Sequence, residues 1–177
     1  MGVIGQGWAL IEQGLADDGI VRLSAGLTAL RSTGARVLMP YFLSLLAQAY
    51  ASASQVEEGL SILAESQVAL DKGAERWFQA ELHRLKGEMI LRRSGLRPDD
   101  ERDAEECFRR ALSIAREQRA KSLELRAAMS LSRLLGTQNK NSEVPRILSD
   151  VYDWFTEGFG TPDLEEARTL LEELSRN

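Results

Sequence analysis

The residues that could do chemistry in this chain are few, and their spacing is poor for it. His83 is the only histidine and Cys107 the only cysteine. A metal site would need these two to converge with a pair of carboxylates, and the usual ligand spacing is missing. A thiol nucleophile at Cys107 would need a base, and only His83 could serve. His83 therefore reads as a surface or inter-helix hydrogen-bonding group, and Cys107, beside Phe108, as a small packing residue. The carboxylate pairs Asp99-Asp100 and Glu105-Glu106 fall in or near a loop, where capping and solvation explain them better than acid-base work. Gly2-Val3-Ile4-Gly5-Gln6-Gly7 has a glycine-rich look, but its glycine order is reversed from that of a dinucleotide loop. No Gly-Lys-Ser/Thr occurs either. These glycines read as close-packing points or as a frayed first helix. No catalytic constellation, metal site or cofactor site can be assembled, so the expectation is a protein that is not an enzyme.

The elements that would position such residues show a clear order. Gly7, Ala47, Gly87 and Ser132 align as small residues at a period of 40, with one five-residue insertion in the third unit. Each is followed by a second aligned position (Gly19, Gly59, Ala104, Val144), then a large apolar residue (Leu23, Leu63, Phe108, Leu148) and a further site (Gly26, Ser66, Ala111, Val151). Leu10, Tyr50, Ile90 and Leu135 follow the first set by three residues. Small residues on two helices let their backbones approach, and the large one a turn later fills the space beside the contact. One such hairpin cannot bury its apolar stripe alone, so repeats must stack and share a core.

Helical periodicity agrees. Phe78, Leu82, Leu85 and Met89 are spaced for one helix face, as are Val144, Leu148, Val151 and Phe155, and, nearly, Leu164, Ala167, Leu171 and Leu174. The pattern predicts nine helices at about 2–14, 16–33, 37–53, 55–72, 75–94, 101–118, 120–137, 141–158 and 162–175. Gly14, Gly34, Gly73 and the run 94–100 fall between them. Asp99 or Asp100 should cap the sixth helix. Thr161 should cap the ninth, with Pro162 at its first position. The ninth helix has no partner and reads as the cap of the array, its acidic face (Glu165, Glu166, Glu172, Glu173) toward water. The expected architecture is one all-α domain over 1–177: four helix-turn-helix repeats (about 1–34, 35–73, 74–119 and 120–158) and a C-terminal capping helix at 162–175.

The small-large-small order resembles the tetratricopeptide repeat, most clearly at Ala104-Glu105-Glu106-Cys107-Phe108-Arg109-Arg110-Ala111. That resemblance implies a right-handed αα superhelix whose first helices line a concave groove. The period of 40 exceeds that family's usual length, and its early tryptophan and closing proline are missing. A narrower resemblance rests on Gly7-Trp8-Ala9-Leu10, on residues 80–88 and 120–128, and on Trp154-Phe155-Thr156-Glu157-Gly158-Phe159. These look like the C-terminal repeat region of bacterial multidomain signalling proteins, in which an adenylate-cyclase-like or DNA-binding domain and an ATPase module precede helical repeats. It implies that this chain is a fragment of a longer protein and its sensing or scaffolding end.

If the first helices line a groove, the residue after each aligned small position should point into it, with those about one turn away. This selects Trp8 and Ile11; Tyr41, Ser44 and Gln48; Glu81, Arg84 and Glu88; and Arg126, Met129 and Arg133. Aromatic and arginine side chains are the types that carry binding energy. The expected partner is a protein or peptide, another domain of the same polypeptide included. The other reading is a sensor domain that holds a small signal ligand in the groove.

Charge bounds the partners further. The chain carries a net charge of -5, which disfavours nucleic acid. The stretch from Arg84 to Arg133 holds 13 Lys/Arg against 9 Asp/Glu, between two acidic ends. That balance suggests a groove favouring acidic contacts. A lone cysteine allows no internal disulfide, which suits a reducing cytoplasm, and no stretch reads as a membrane span or signal peptide. The oligomeric state is not legible.

Overall fold

The computed structural model describes residues 2–34, 38–71, 76–138 and 144–175, without the side chains of 69, 71, 144 and 145. Gly73 and the expected start of a helix at 141 lie outside the described residues. Among the described residues all regular structure is helical. Helices α1 (Val3–Glu12) and α2 (Ala16–Ser32) form the first hairpin, and α3 (Met39–Ser52) and α4 (Val56–Asp71) the second. A 3-10 turn at Arg76–Phe78 leads into α5 (Gln79–Leu91), which pairs with α6 (Asp100–Glu117). Then come α7 (Lys121–Thr137), α8 (Val144–Tyr152) and α9 (Pro162–Leu174). Each first helix also packs on the next, α1 on α3, α3 on α5, α5 on α7 and α7 on α9. These five form an inner layer, and α2, α4, α6 and α8 an outer one.

The aligned small residues are where the hairpins close. A Cβ added at Gly7 would lie 2.8 Å from the backbone nitrogen of Leu23, and one at Gly19 would lie 2.9 Å from the carbonyl oxygen of Gly7. One unit later, a Cβ on Gly59 would sit 3.0 Å from the carbonyl oxygen of Ala47. In the third unit the large residue presses on the small one: a Cβ on Gly87 would lie 2.6 Å from the ring of Phe108, itself 1% exposed. In the fourth unit Ser132 is fully buried, and its hydroxyl has no hydrogen-bond partner among the described residues. The register read from spacing thus coincides with close inter-helix contacts in the first three units, to backbone in the first two and to the Phe108 ring in the third.

No single centre holds the fold. One apolar cluster joins the first two hairpins around Leu23, Leu27, Leu43 and Leu46. A second joins the second hairpin to the third around Leu63, Leu82, Leu85 and Met89. A third runs from Ile90 and Phe108 through Leu131, Leu135 and Leu148 to Leu164 and Leu170. Ile62 packs against the first two clusters and Leu60 against the last two. The core is a strip passed from hairpin to hairpin, as stacked repeats require.

The turns repeat as faithfully as the packing. After α1 the N–H of Gly14 donates to Ile11 and that of Leu15 to Leu10; forty residues later Ser54 donates to Ala51 and Gln55 to Tyr50. After α6 the same pair of bonds links Arg119 to Arg116 and Ala120 to Ala115. This geometry needs a left-handed residue at the turn, and glycine suits it. Gly14 has φ 81°, but Ser54 and Arg119 hold φ 61° and 55° with a Cβ attached. A left-handed residue other than glycine costs roughly 1–2 kcal/mol, part of which glycine returns as unfolded-state entropy. Ser54→Gly is therefore expected to stabilise the domain by about 0.5–1 kcal/mol, read as a higher urea midpoint. An unchanged or lower midpoint would contradict strain at this turn.

Three local expectations are corrected. Helix α8 ends at Tyr152, not at 158. The amides of Trp154 and Phe155 donate back three residues and tighten the last turn, which carries Phe155 onto the third cluster from outside the helix. Thr161 precedes α9 and Pro162 opens it, but the Thr161 hydroxyl donates to Gly158 instead of capping. Neither aspartate caps α6. Asp100 accepts the Arg97 N–H at 2.8 Å and pairs with Arg93 at 2.9 Å, pinning the inserted loop, while Asp99 pairs with Arg102.

Candidate partner-binding groove

Three first helices meet around one hollow of about 230 Å³. Trp8 and Ile11 enter it from α1, Gln48 from α3 and Glu88 from α5, with Glu12 and Arg92 at its rim. Trp8, Gln48, Glu88 and Arg133 each follow an aligned small residue by one position. Such a residue is turned 100° from the seam where its own hairpin closes, so this row faces out of the contact on every unit.

Residues three before the small positions behave differently. Ser44 is fully buried, its hydroxyl donating to the Tyr41 carbonyl at 2.7 Å, and Met129 is 3% exposed inside the third cluster. Arg84, at the same place on α5, keeps only 13% of its side chain exposed. These positions lie one turn before that row on the same face, but at roughly 60° instead of 100° from the small residue, closer to the seam, where neighbouring helices cover them. Ser44 and Met129 thus sit beneath the groove surface. Tyr41 packs at the end of the inner layer, its ring 5.4 Å from Phe42 and 5.4 Å, edge-on, from Phe78. With Trp8 and Phe42 it lines a separate apolar hollow between α1, α2 and α3.

The charged candidates form a chain of ion pairs. Arg84 holds Glu81 with two parallel bonds, Nη2 to Oε1 at 2.7 Å and Nε to Oε2 at 2.9 Å, and also binds Glu88. The Ser130 hydroxyl on α7 donates to Glu88 Oε1 at 2.9 Å. Arg126 reaches Glu81 at 3.8 Å and Asp163 of α9 at 2.7 Å, and Arg133 pairs with Glu166 of α9 at 2.6 Å. Burial alone would lower the Arg84 pKa, but the hydrogen bond and charge of Glu81, with Glu88, hold it above its ordinary value. The arginines that face the groove, Arg84, Arg126 and Arg133, are thus neutralised from within, partly by the acidic end. Two expectations change. Arg84 and Arg126 are already engaged and are not free to receive an acidic partner. Glu166 does not face only water: it anchors the last helix to α7.

The residues weighed for chemistry are placed as follows. His83 and Cys107 both line a valley on the opposite side of α5 from Glu88, as do Asp103 and Glu106. Among the described residues no group of three or more His, Cys, Asp or Glu could hold a metal ion. Burial pushes the Cys107 thiol above its ordinary pKa, which makes it a poor nucleophile. Glu105 pairs with Arg109 along α6 at 2.8 Å. No described helix is long and apolar enough to cross a membrane. Sequence reasoning missed Lys121, whose ammonium stands 5.6 Å over the Trp154 ring and which pairs with buried Glu124.

This arrangement of an inner and an outer helical layer, closed by small residues at a fixed period, is a tetratricopeptide-like αα solenoid. Solved structures agree. The chain is similar to a kinesin light chain-like protein of Podosopora anserina built from nearly identical TPR-like repeats, with a TM-score of 0.71 at 14% identity, over 98% of this chain and 84% of that one. A variant of the same protein gives a TM-score of 0.73 at 13% identity, with the same coverage. At such identity the likeness is one of fold. No protein-family model matches the sequence, and no curated protein does.

Proposed function

We propose that the chain is a protein-protein interaction or scaffolding module whose concave face receives a segment of a partner protein. The observation that carries this reading is the convergence of Trp8, Ile11, Gln48 and Glu88, from three successive first helices, on one hollow. A half-buried tryptophan beside an aliphatic side chain, with an amide and carboxylates around them, suits an apolar anchor flanked by polar backbone. The partner is a peptide or protein surface, and another domain of the same polypeptide is included.

The strings around Trp8, His83, Leu125 and Trp154 support a more particular setting. In it the chain is the C-terminal sensing or regulatory part of a bacterial, cytoplasmic signalling protein with an ATPase or cyclase-like module. A coding sequence ahead of Met1 that specifies such a module would support this setting, and an unrelated one would remove it.

The groove is tested by selecting binders from a displayed peptide library against the intact chain. Trp8→Ala combined with Gln48→Arg is expected to weaken groove binders by about 2 kcal/mol or more, roughly thirtyfold. The exposed outer-layer change Val21→Arg should leave them unaffected. Peptides that ignore both groove substitutions would remove the assignment.

A further inference from the structure

The outer side of α5 carries a second concavity. His83, Lys86 and Ile90 fall on the face of the helix opposite Glu81, Arg84 and Glu88, and Arg93 follows just past its end. With Asp103, Glu106, Cys107 and Arg110 of α6, and Arg97 of the inserted loop, they line a valley of about 540 Å³. That volume is in the range of sites for small ligands, roughly 300–1,000 Å³. Its floor is apolar: Ile90 is 5% and Cys107 9% exposed. Its rim is cationic.

The pairing around the rim is uneven. Arg93 is held by Glu57 and Asp100, and Asp103 by Arg102. Lys86, Arg97 and Arg110 have no carboxylate partner for their side chains among the described residues, even though Glu106 is one helical turn from Arg110. Three uncommitted cations face one uncommitted carboxylate, in a protein that is acidic as a whole. Their field is felt inside the valley: the His83 pKa lies below its ordinary value through burial first, and then through Arg110 and Lys86. Of the 13 basic residues from Arg84 to Arg133, eight are spent on internal ion pairs. Besides these three only Arg92 and Arg119 are not, among the described residues, so most of the exceptions gather in one valley.

We propose that this valley binds a phosphorylated small molecule, with Lys86, Arg97 and Arg110 on the phosphates and Ile90 and Cys107 beneath its less polar part. Guanidinium groups suit phosphate oxygens in bidentate geometry, and a lysine adds a point charge. The inserted loop that sets the third unit apart supplies Arg97, and Asp100 fixes that loop through the Arg97 amide without touching its guanidinium. The site is independent of the groove, on the other face of the same helix.

The test is calorimetric titration of the full chain with sodium pyrophosphate and with ADP, against sodium chloride at matched ionic strength. Saturable binding at one site is expected for both. Lys86→Ser plus Arg110→Ser should weaken it by about tenfold or more with an unchanged melting temperature, since both side chains are exposed and unpaired. Arg22→Ser, on α2 outside the valley, should have no effect. Absence of saturable binding, or equal weakening by the Arg22 variant, would overturn the proposal. So would binding to anionic vesicles without binding to soluble pyrophosphate.

Discussion

Replacing Arg84 by alanine is expected to destabilise the domain by about 3–5 kcal/mol, the range for a buried ion pair that loses one partner. Glu81 has 6% of its side chain exposed, and its two oxygens take the two parallel Arg84 bonds. Without the guanidinium it would have only Arg126, at 3.8 Å. Glu88 would keep the Ser130 hydroxyl but lose its cation. Charge reversal, Arg84→Glu, should be worse, because it sets three carboxylates along one buried face. The measurement is a urea melt followed by circular dichroism. A loss below about 1 kcal/mol, the size of a surface pair, would show that the network is solvated and dispensable. Glu81→Leu with Arg84→Met is expected to recover most of the loss, since apolar pairs of similar volume often replace buried ion pairs at little cost.

Gly87→Leu is expected to cost about 3 kcal/mol or more. Even a single Cβ at this position would stand 2.6 Å from one ring carbon of Phe108 and 2.9 Å from another. That ring is 1% exposed and cannot swing away into solvent. Leucine gains about 1 kcal/mol over glycine in helix propensity, which is too little to offset overpacking and a displaced hairpin. Gly87→Ala should lie between the two. Phe108→Leu in the Gly87→Ala background should cost less than the two single changes added together, because the substitutions share one contact. Additive losses would mean that the glycine and the ring are not in the contact described.

Much of the architecture was legible in the sequence because it rests on sterics that only particular residues allow. Glycine at 7, 19, 59 and 87 marks sites where a Cβ would collide, and those sites recur at a fixed interval. Serine at 44 and methionine at 129 carry no such mark. Their burial depends on which neighbouring helix covers them, and a one-dimensional pattern does not encode that. The ion-pair chain was hidden for a related reason. Arg126 and Asp163 are 37 residues apart, and Arg133 and Glu166 are 33 apart. Seen in sequence, they are two charge blocks of opposite sign. Only stacking α9 on α7 turns that imbalance into pairing, and with it an apparently basic groove into a neutralised one. The end of α8 was misplaced because Phe155 keeps helical spacing while reaching the core from a turn. That His83, Lys86, Cys107 and Arg110 share one valley follows from the pairing of α5 with α6, whereas Arg97 is brought there by the folding of the inserted loop.

The core passes through Ile62 and Leu60 from one hairpin to the next and never closes on itself. A protein held this way can change its length without redesigning its interior. Duplication of one hairpin adds a seam of the kind already present and leaves the others untouched. The same property limits how far a perturbation travels: strain placed in one unit is felt by its neighbours and fades beyond them. A domain of this build is best regarded as a chain of locally coupled segments. Its two ends can therefore drift apart in sequence, as the glycine-rich first unit and the ion-paired last one have done, while keeping a common frame.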